Sequence, residues 1–313
     1  MAILLRPHFD IDHKYWRPLL EEKLAHLDFR VWPDVGDANE IEYVICWRVY
    51  EGDKSAYPNL KAVISLKAGV ERFIGNSHFP QNAKLVRMVD PGMTASMAEY
   101  VASFVLRFHR EHDEMVELGK AHPWPIPIPK RAEQRTVGFL GFGVLAQACA
   151  EKISSMGFHV QGWRKSNSTD NDIHCFAGKD ALPEFLQSTD ILVCLLPLTD
   201  ETENIINKDT LAMLPDGASF INAARGAHVV DEDLVAAIDS GKLKYAALDV
   251  FREEPLPLDH PFLEPHRQNR IIVTPHIAAV TMPDTGSDII CQTIDQLEKG
   301  ETPIGLVDLQ KGY

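Results

Sequence analysis

Short apolar runs alternate with segments of helical periodicity over the first hundred residues. Five of these runs are predicted to be buried strands: Ala2–Leu5, Phe29–Trp32, Tyr43–Trp47, Ala62–Leu66 and Leu85–Val89. Periodic segments such as Tyr15 to Leu27 separate some of them. This alternation is typical of a parallel sheet whose strands are joined by crossover helices.

A long helix is predicted after these strands. Ser96 and Glu99 have the spacing of a capping box, and apolar residues recur on one helical face from Val101 to Phe108. We expect this helix to end near Ala121. Prolines occupy alternate positions over 123–129, which excludes a helix and predicts an extended connector.

A second series of strand and helix patterns follows the connector. Strands are predicted at Thr136–Leu140, Phe158–Gly162, Ile191–Leu195, Ala218–Asn222, Tyr245–Val250 and Ile271–Thr274, and helices at Val144–Met156, Asp231–Ile238 and Asp288–Leu297. The last helix is expected to return to the first domain. The predicted fold class is α/β, with two doubly wound parallel-sheet domains that are Rossmann-like or flavodoxin-like.

Composition narrows the class of protein. The 313 residues include 31 Lys and Arg against 45 Asp and Glu, a formal charge of −14 that argues against nucleic-acid and anionic-membrane partners. The apolar runs are too short for a membrane helix, and the start lacks the basic leader of a signal peptide. Five scattered cysteines without a C-x-x-C pair fit a reducing compartment, and no metal site is expected. We therefore expect a soluble, cytoplasmic protein.

A glycine pattern follows the first strand of the second series. Gly141-Phe-Gly143-Val144-Leu145-Ala146 matches G-x-G-x-x-A, in which the first glycine permits a tight turn and the second lets the backbone approach a pyrophosphate. The pattern follows a strand, opens a helix and precedes a second strand, as dinucleotide binding requires. Gly141, Gly143, Val144 and Leu145 are therefore candidate cofactor-binding residues. The alternative is a simple tight turn.

The end of the next strand predicts the type of cofactor. An NAD enzyme has an Asp or Glu there that binds the ribose 2′-hydroxyl, whereas this chain has Arg164, Lys165 and Ser166. Two cations would attract a 2′-phosphate, so NADP(H) is predicted to be preferred over NAD(H). The alternative is two solvated charges at a strand end.

Five further motifs occur in one order along the second half of the chain. They are Leu196-Pro197-Leu-Thr199, Ile221-Asn-Ala223-Ala224-Arg225-Gly226, Ala247-Leu-Asp249-Val-Phe251, Glu254-Pro-Leu-Pro257 and Thr274-Pro-His276-Ile277. With the glycine loop they resemble the D-isomer specific 2-hydroxyacid dehydrogenase family, and the chain is most similar to its glyoxylate/hydroxypyruvate reductase branch of type A. The resemblance covers about residues 60–285 and is most specific from Gly138 to Thr281.

The resemblance implies a catalytic set of Arg225, Glu254 and His276. The chemistry of these residue types suits the reduction of a 2-keto acid. The planar guanidinium group of an Arg binds a carboxylate. A His side chain can be charged near neutral pH and can donate a proton to the carbonyl oxygen, and a neighbouring Glu favours the charged imidazolium. Each residue also has a non-catalytic interpretation when it is taken alone. Arg225 could lie in a surface turn, Glu254 could be a charged loop residue, and His276 could be a capped histidine of the core.

The resemblance also implies further site residues and an assembly. Leu196, Pro197, Ala223, Ala224 and Asp249 would contact the cofactor, with Asp249 facing the nicotinamide carboxamide. The backbone of Lys67, Ala68 and Gly69 would hold the substrate carboxylate, and Trp47 would form a pocket wall that favours small substrates. A homodimer is expected, with an active-site cleft between the substrate-binding domain (residues 1–100 plus 284–313) and the dinucleotide-binding domain (residues 101–283).

The sequence thus predicts NADPH-dependent reduction of glyoxylate to glycolate and of hydroxypyruvate to D-glycerate. Two alternatives stay open at this point. The first alternative is a D-2-hydroxyacid dehydrogenase of broader specificity that acts on larger keto acids. The second is a dinucleotide-sensing binding protein that resembles the corepressors related to this family.

Overall fold

The structure is a computed structural model that describes residues 1–8, 10, 12–80, 82–166 and 173–309, without the side chain of Lys54. The chain divides into two compact units. Unit 1 comprises Met1–Met93 and Val280–Tyr313, and unit 2 comprises Thr94–Ala279. Within the described residues, no helix has the length and apolar character needed to cross a membrane.

Unit 1 is built on a parallel sheet. Its strands are β1 (Ala2–Arg6), β2 (Asp28–Val31), β3 (Ile41–Cys46), β4 (Ala62–Ser65) and β5 (Lys84–Val86), in the spatial order β2-β1-β3-β4-β5. This is the flavodoxin-like order. Its helices are α1 (Arg17–Lys23) and α2 (Asp53–Ala56), and the chain returns at its end as α9 (Pro283–Glu298).

Burial on both faces explains why the strands of unit 1 are continuous apolar runs. Leu4 and Val44 pack in a cluster on one face, while Ile3, Leu5 and Ile45 pack on the other. Successive side chains of a strand point to opposite faces, so a central strand with both faces covered needs apolar residues throughout. The fold expected for this part of the chain is confirmed.

The predicted long helix is wrong in its bounds and its continuity. It is two helices, α3 (Pro91–His109) and α4 (His112–Leu118). α3 begins before Ser96 because the Asp90 carboxylate accepts hydrogen bonds from the N–H groups of Gly92 and Met93, each at 3.0 Å. The break comes at Glu111, whose φ of 49° is left-handed, in a charged run that offers no apolar face to bury.

Unit 2 contains a larger parallel sheet. Its strands are β6 (Thr136–Leu140), β7 (His159–Arg164), β8 (Cys175–Ala177), β9 (Ile191–Cys194), β10 (Ala218–Asn222), β11 (Leu243–Leu248) and β12 (Ile271–Val273), in the order β12-β11-β10-β9-β6-β7-β8. The helices after β6 are α5 (Val144–Ser155), α6 (Leu182–Gln187), α7 (Lys208–Met213) and α8 (Asp231–Asp239). The strand order reverses between β6 and β9, which is the position where open α/β sheets bind ligands.

The sequence predicts most of unit 2 and misses its smallest elements. β10 has the predicted bounds, whereas β11 lies two residues earlier than predicted and β7 extends to Arg164. β8, α6 and α7 were not predicted. β8 is three half-buried residues at the sheet edge, too short to show an alternating pattern.

Candidate active site

The glycine loop forms the turn that connects β6 with α5. Gly141 has a φ of 93°, and a Cβ on it would lie 2.9 Å from the backbone of Leu195 and Leu196. A Cβ on Gly143 would meet nothing within 4 Å, so open space lies beside the residue that precedes α5. Val144 and Leu145 begin that helix, whose first N–H groups suit an anion. These residues fit a dinucleotide pyrophosphate.

The end of β7 carries the cations expected to select the cofactor. The Arg164 guanidinium lies 5.8 Å from the centre of the Phe142 ring, within the glycine loop. Lys165 Nζ lies 2.7 Å from Glu201 Oε2, and Ser166 is exposed. No sequence motif identifies Glu201, because its pairing with Lys165 depends on two loops that are distant in sequence and adjacent in the fold.

The segments after β9 and β10 are fixed by a fully buried histidine. His228 Nε2 lies 3.3 Å from the Pro197 carbonyl oxygen, and its Nδ1 lies 3.1 Å from that of Arg225. Leu196 is buried beside Pro197, and Ala223 and Ala224 are buried after β10. His228 was missed, since nothing in its local sequence distinguishes it from an ordinary loop residue.

Arg225 lies in a turn with little freedom. The Asn222 side chain accepts a hydrogen bond from the Ala224 N–H and donates one to the Arg225 carbonyl, at 3.1 and 3.0 Å. A Cβ on Gly226 would come within 1.9 Å of the Phe251 backbone, so only glycine fits there. The Arg225 turn is therefore packed directly against the segment after β11, which continues to Glu254.

Asp249 organises the loop after β12. It is 1% exposed, and its Oδ1 accepts hydrogen bonds from Thr274 Oγ1 at 2.6 Å and the Ile277 N–H at 2.9 Å. Its Oδ2 accepts from the Ala278 N–H at 2.8 Å. His276 lies between these donors with a φ of 55°, an unusual value for a residue with a side chain. Asp249 thus holds the Thr274 side chain before His276 and the backbone after it.

His276 and Glu254 form a direct pair. His276 Nδ1 lies 2.9 Å from Glu254 Oε2, and Glu254 Oε1 accepts from the Phe251 N–H at 3.1 Å. Burial by itself would raise the pKa of Glu254. The hydrogen bonds from His276 and Phe251 and the charges of His276 and Arg225 outweigh burial, so the pKa of Glu254 is lowered. An ionised Glu254 orients the ring and leaves Nε2 for proton transfer.

In unit 1, the segments after β1, β3 and β4 carry a second group of polar residues, and Asp12 among them begins a short helical segment, Asp12–Trp16. Trp47 Nε1 donates to both Asp12 oxygens, at 2.8 and 2.9 Å, and the His8 N–H donates to Asp12 at 2.7 Å. The Lys67 N–H, which was expected to bind the substrate carboxylate, donates to Ser65 Oγ at 3.0 Å in this structure. Ala68 and Gly69 continue this loop.

Three cations and one carboxylate act on His8 in this part of unit 1. The pKa of His8 is lowered, first by burial and then by the positive charges of Arg48, Lys67 and Arg72, while Asp12 opposes the shift. A carboxylate is the kind of group that such a cluster attracts. His8, Asp12 and Arg72 were missed from the sequence because no motif there groups them.

Comparison with known proteins assigns the family. Residues 102–278 match the family described as D-isomer specific 2-hydroxyacid dehydrogenase, NAD binding domain. A curated relative, glyoxylate/hydroxypyruvate reductase A of Serratia proteamaculans, is 38% identical over 316 residues, with 99% of each chain covered. The chain belongs to the D-isomer specific 2-hydroxyacid dehydrogenase family. The family and enzyme class expected from the motifs are confirmed.

Solved structures agree over the whole chain. A D-isomer specific 2-hydroxyacid dehydrogenase from Xanthobacter autotrophicus Py2, in complex with NADPH and MES, aligns with a TM-score of 0.92 and 36% identity, covering 100% of this chain and 99% of that chain. An NADPH-dependent glyoxylate/hydroxypyruvate reductase from Sinorhizobium meliloti, in complex with NADP and sulfate, aligns with a TM-score of 0.85 and 32% identity at the same coverage. This dehydrogenase therefore has the fold of enzymes that bind NADP or NADPH.

Replacing Asp249 with Asn should loosen the loop that carries His276. An amide group keeps one acceptor oxygen and turns its NH2 toward a backbone N–H, so the free energy of unfolding should fall by about 1–3 kcal/mol. Urea denaturation measures the change. Asp259→Asn, the same change at an exposed loop position, should stay within about 0.5 kcal/mol of the original protein. Equal stability of the two variants would contradict this role for Asp249.

Proposed function

We propose that this dehydrogenase reduces small 2-keto acids with NADPH, converting glyoxylate to glycolate and hydroxypyruvate to D-glycerate. The observation that carries the proposal is the His276–Glu254 pair, 2.9 Å apart, in the loops after β11 and β12. Curated relatives named glyoxylate/hydroxypyruvate reductase A, at 37–41% identity, support the substrate class. A broader range of keto acids remains the alternative within the family.

The two units have different roles in this proposal. Residues 101–283 are the dinucleotide-binding domain, and residues 1–100 with 284–313 are the substrate-binding domain. The open space beside Gly143 at the start of α5 supports the first role. The positive charges of Arg48, Lys67 and Arg72 support the second, because the substrate is an anion.

NADPH, when bound, supplies the hydride that reduces the carbonyl carbon. Gly141, Gly143 and the start of α5 would hold its pyrophosphate, and Arg164 and Lys165 would bind its 2′-phosphate. Leu196, Pro197, Ala223 and Ala224 would contact the rest of the cofactor. Asp249, buried and bonded to the loop around His276, would act on the nicotinamide end of the cofactor through that loop.

The protein residues bind the substrate and deliver a proton. Arg225 holds the carboxylate and the carbonyl oxygen with its planar fork of donors, a geometry that a lysine ammonium does not reproduce. His276 donates a proton from Nε2 to the carbonyl oxygen as negative charge develops there. Glu254 accepts the hydrogen bond from Nδ1 and stabilises the charged ring before transfer. Trp47, Lys67, Ala68 and Gly69 are the further substrate-binding residues of this proposal.

Replacement of His276 with Gln should lower kcat for glyoxylate by roughly 10²–10⁴-fold, because the proton donor is lost. NADPH affinity, measured by fluorescence titration, should be largely kept. His266→Gln is the matched control, since its side chain is 62% exposed and lies 3.8 Å from Asp239. Unchanged turnover in His276→Gln would remove this residue from the mechanism.

Replacement of Arg164 with Asp should weaken NADPH binding and favour NADH, since a carboxylate repels the 2′-phosphate and can bind the 2′-hydroxyl. The measurement is the ratio of kcat/KM for NADPH to that for NADH. Arg131→Asp, at an exposed position in the connector, should leave this ratio unchanged. If the ratio did not move in Arg164→Asp, the assignment of the 2′-phosphate site would be wrong.

A homodimer is part of this proposal. The connector exposes Trp124, Ile126 and Ile128 by 68, 91 and 96%, and a row of exposed large apolar side chains is typical of an interface. Sedimentation velocity should give a dimer at micromolar concentration, and replacing Ile126 and Ile128 together with Ser should shift it toward monomer. Leu258→Ser, at a single exposed apolar residue, should not. Sedimentation of the unsubstituted protein as a monomer would contradict the proposed homodimer.

A further inference from the structure

The Lys165–Glu201 ion pair joins two loops of unit 2 that lie on either side of the glycine loop. Lys165 directly follows β7, and Glu201 lies in the segment after β9. Both strands are neighbours of β6 in the sheet, so the pair bridges the two loops that flank the glycine loop. Because parallel strands end at the same edge, this is the edge where the proposed NADPH site lies.

The Glu201 backbone is held by its own loop. The Thr199 N–H donates to Thr202 Oγ1 at 2.8 Å, and that hydroxyl donates to the Pro197 carbonyl at 2.7 Å. The Glu203 N–H donates to the Thr199 carbonyl at 2.9 Å. Glu201 therefore projects from an ordered turn, and its carboxylate lies 2.7 Å from Lys165 Nζ.

Glu201 is ionised at neutral pH. Its pKa is lowered by the hydrogen bond and the charge of Lys165, with a further contribution from the charge of Lys179. A carboxylate thus stands among the cations that are expected to receive a 2′-phosphate. Glu201 forms an ion pair with Lys165, and its negative charge would lie beside the 2′-phosphate dianion of NADPH.

The same carboxylate has the opposite effect on NADH. The end of β7 has no Asp or Glu to accept a hydrogen bond from the ribose 2′-hydroxyl. Glu201 supplies a carboxylate at this edge from the segment after β9. It can accept from a 2′-hydroxyl, whereas it repels a 2′-phosphate.

We propose that Glu201 is a coenzyme-specificity residue that limits the preference for NADPH and keeps NADH usable. When NADPH binds, the Lys165–Glu201 ion pair breaks and Lys165 contacts the 2′-phosphate instead. When NADH binds, the ion pair remains. This inference rests on the proposed 2′-phosphate site at Arg164 and Lys165, and it assigns to that site a residue that opposes it.

The test replaces Glu201 with Gln and measures ligand binding directly. By isothermal titration calorimetry, the affinity for adenosine 2′,5′-bisphosphate should rise by about 1.5- to 5-fold, as expected for removal of an exposed charge interaction. The affinity for 5′-AMP, which lacks the 2′-phosphate, should stay the same or fall. The ratio of kcat/KM for NADPH to that for NADH should rise by a similar factor.

Glu203→Gln is the matched control. It lies in the same loop and carries the same charge, but its carboxylate faces Arg252, with the nearest oxygen 3.9 Å from Nη1. An equal rise in bisphosphate affinity in both variants would mean a general charge effect and would overturn the proposal. Unchanged or weaker bisphosphate binding in Glu201→Gln would overturn it too, because the carboxylate would then be neutral toward Lys165 or needed to position it.

Two further variants separate this inference from the proposed cofactor site. If Arg164→Asp weakens bisphosphate binding while Glu201→Gln does not strengthen it, the site stands and the role of Glu201 fails. If Arg164→Asp leaves bisphosphate binding unchanged, the site itself is wrong and both proposals fail. In a Lys165→Gln background the effect of Glu201→Gln should shrink, because part of it acts through Lys165. A full effect there would contradict the exchange of partners.

Discussion

The buried carboxylate of Asp249 is the constraint on which the geometry of the site depends. It follows β11 and accepts hydrogen bonds from Thr274, Ile277 and Ala278 in the loop after β12. A buried carboxylate is costly unless its oxygens are satisfied, so the loop is held in one conformation. That conformation places His276 at a φ of 55° with its ring against Glu254. The His276–Glu254 pair is thus a consequence of a buried polar contact.

The sequence predicts the structure where one local pattern determines it. The run at β10 is buried on both faces, and its bounds were predicted; the glycine loop follows β6 as expected. The prediction fails where the determining contact is distant in sequence or is a single backbone angle. Asp249 reaches residues 25 to 29 positions away, and the turn at Glu111 interrupts a helix that periodicity alone would continue.

Local charge and net charge act differently in this protein. The chain carries a formal charge of −14, yet the end of β7 presents Arg164 and Lys165, and unit 1 gathers Arg48, Lys67 and Arg72 around His8. Cations concentrated at the carboxyl ends of strands attract anionic ligands in spite of the acidic surface elsewhere. The sequence identified several of these cations but not the Glu201 partner of Lys165, since ion pairs between loops depend on the strand order.

The most direct test of the central claim is nicotinamide absorbance against time with the purified protein. Glyoxylate and hydroxypyruvate are each supplied with NADPH and, in parallel, with NADH. The account predicts fast loss of absorbance with NADPH and slower loss with NADH for both keto acids. Tight cofactor binding without turnover of either substrate would contradict it, and would favour larger keto acids or a dinucleotide-sensing role instead.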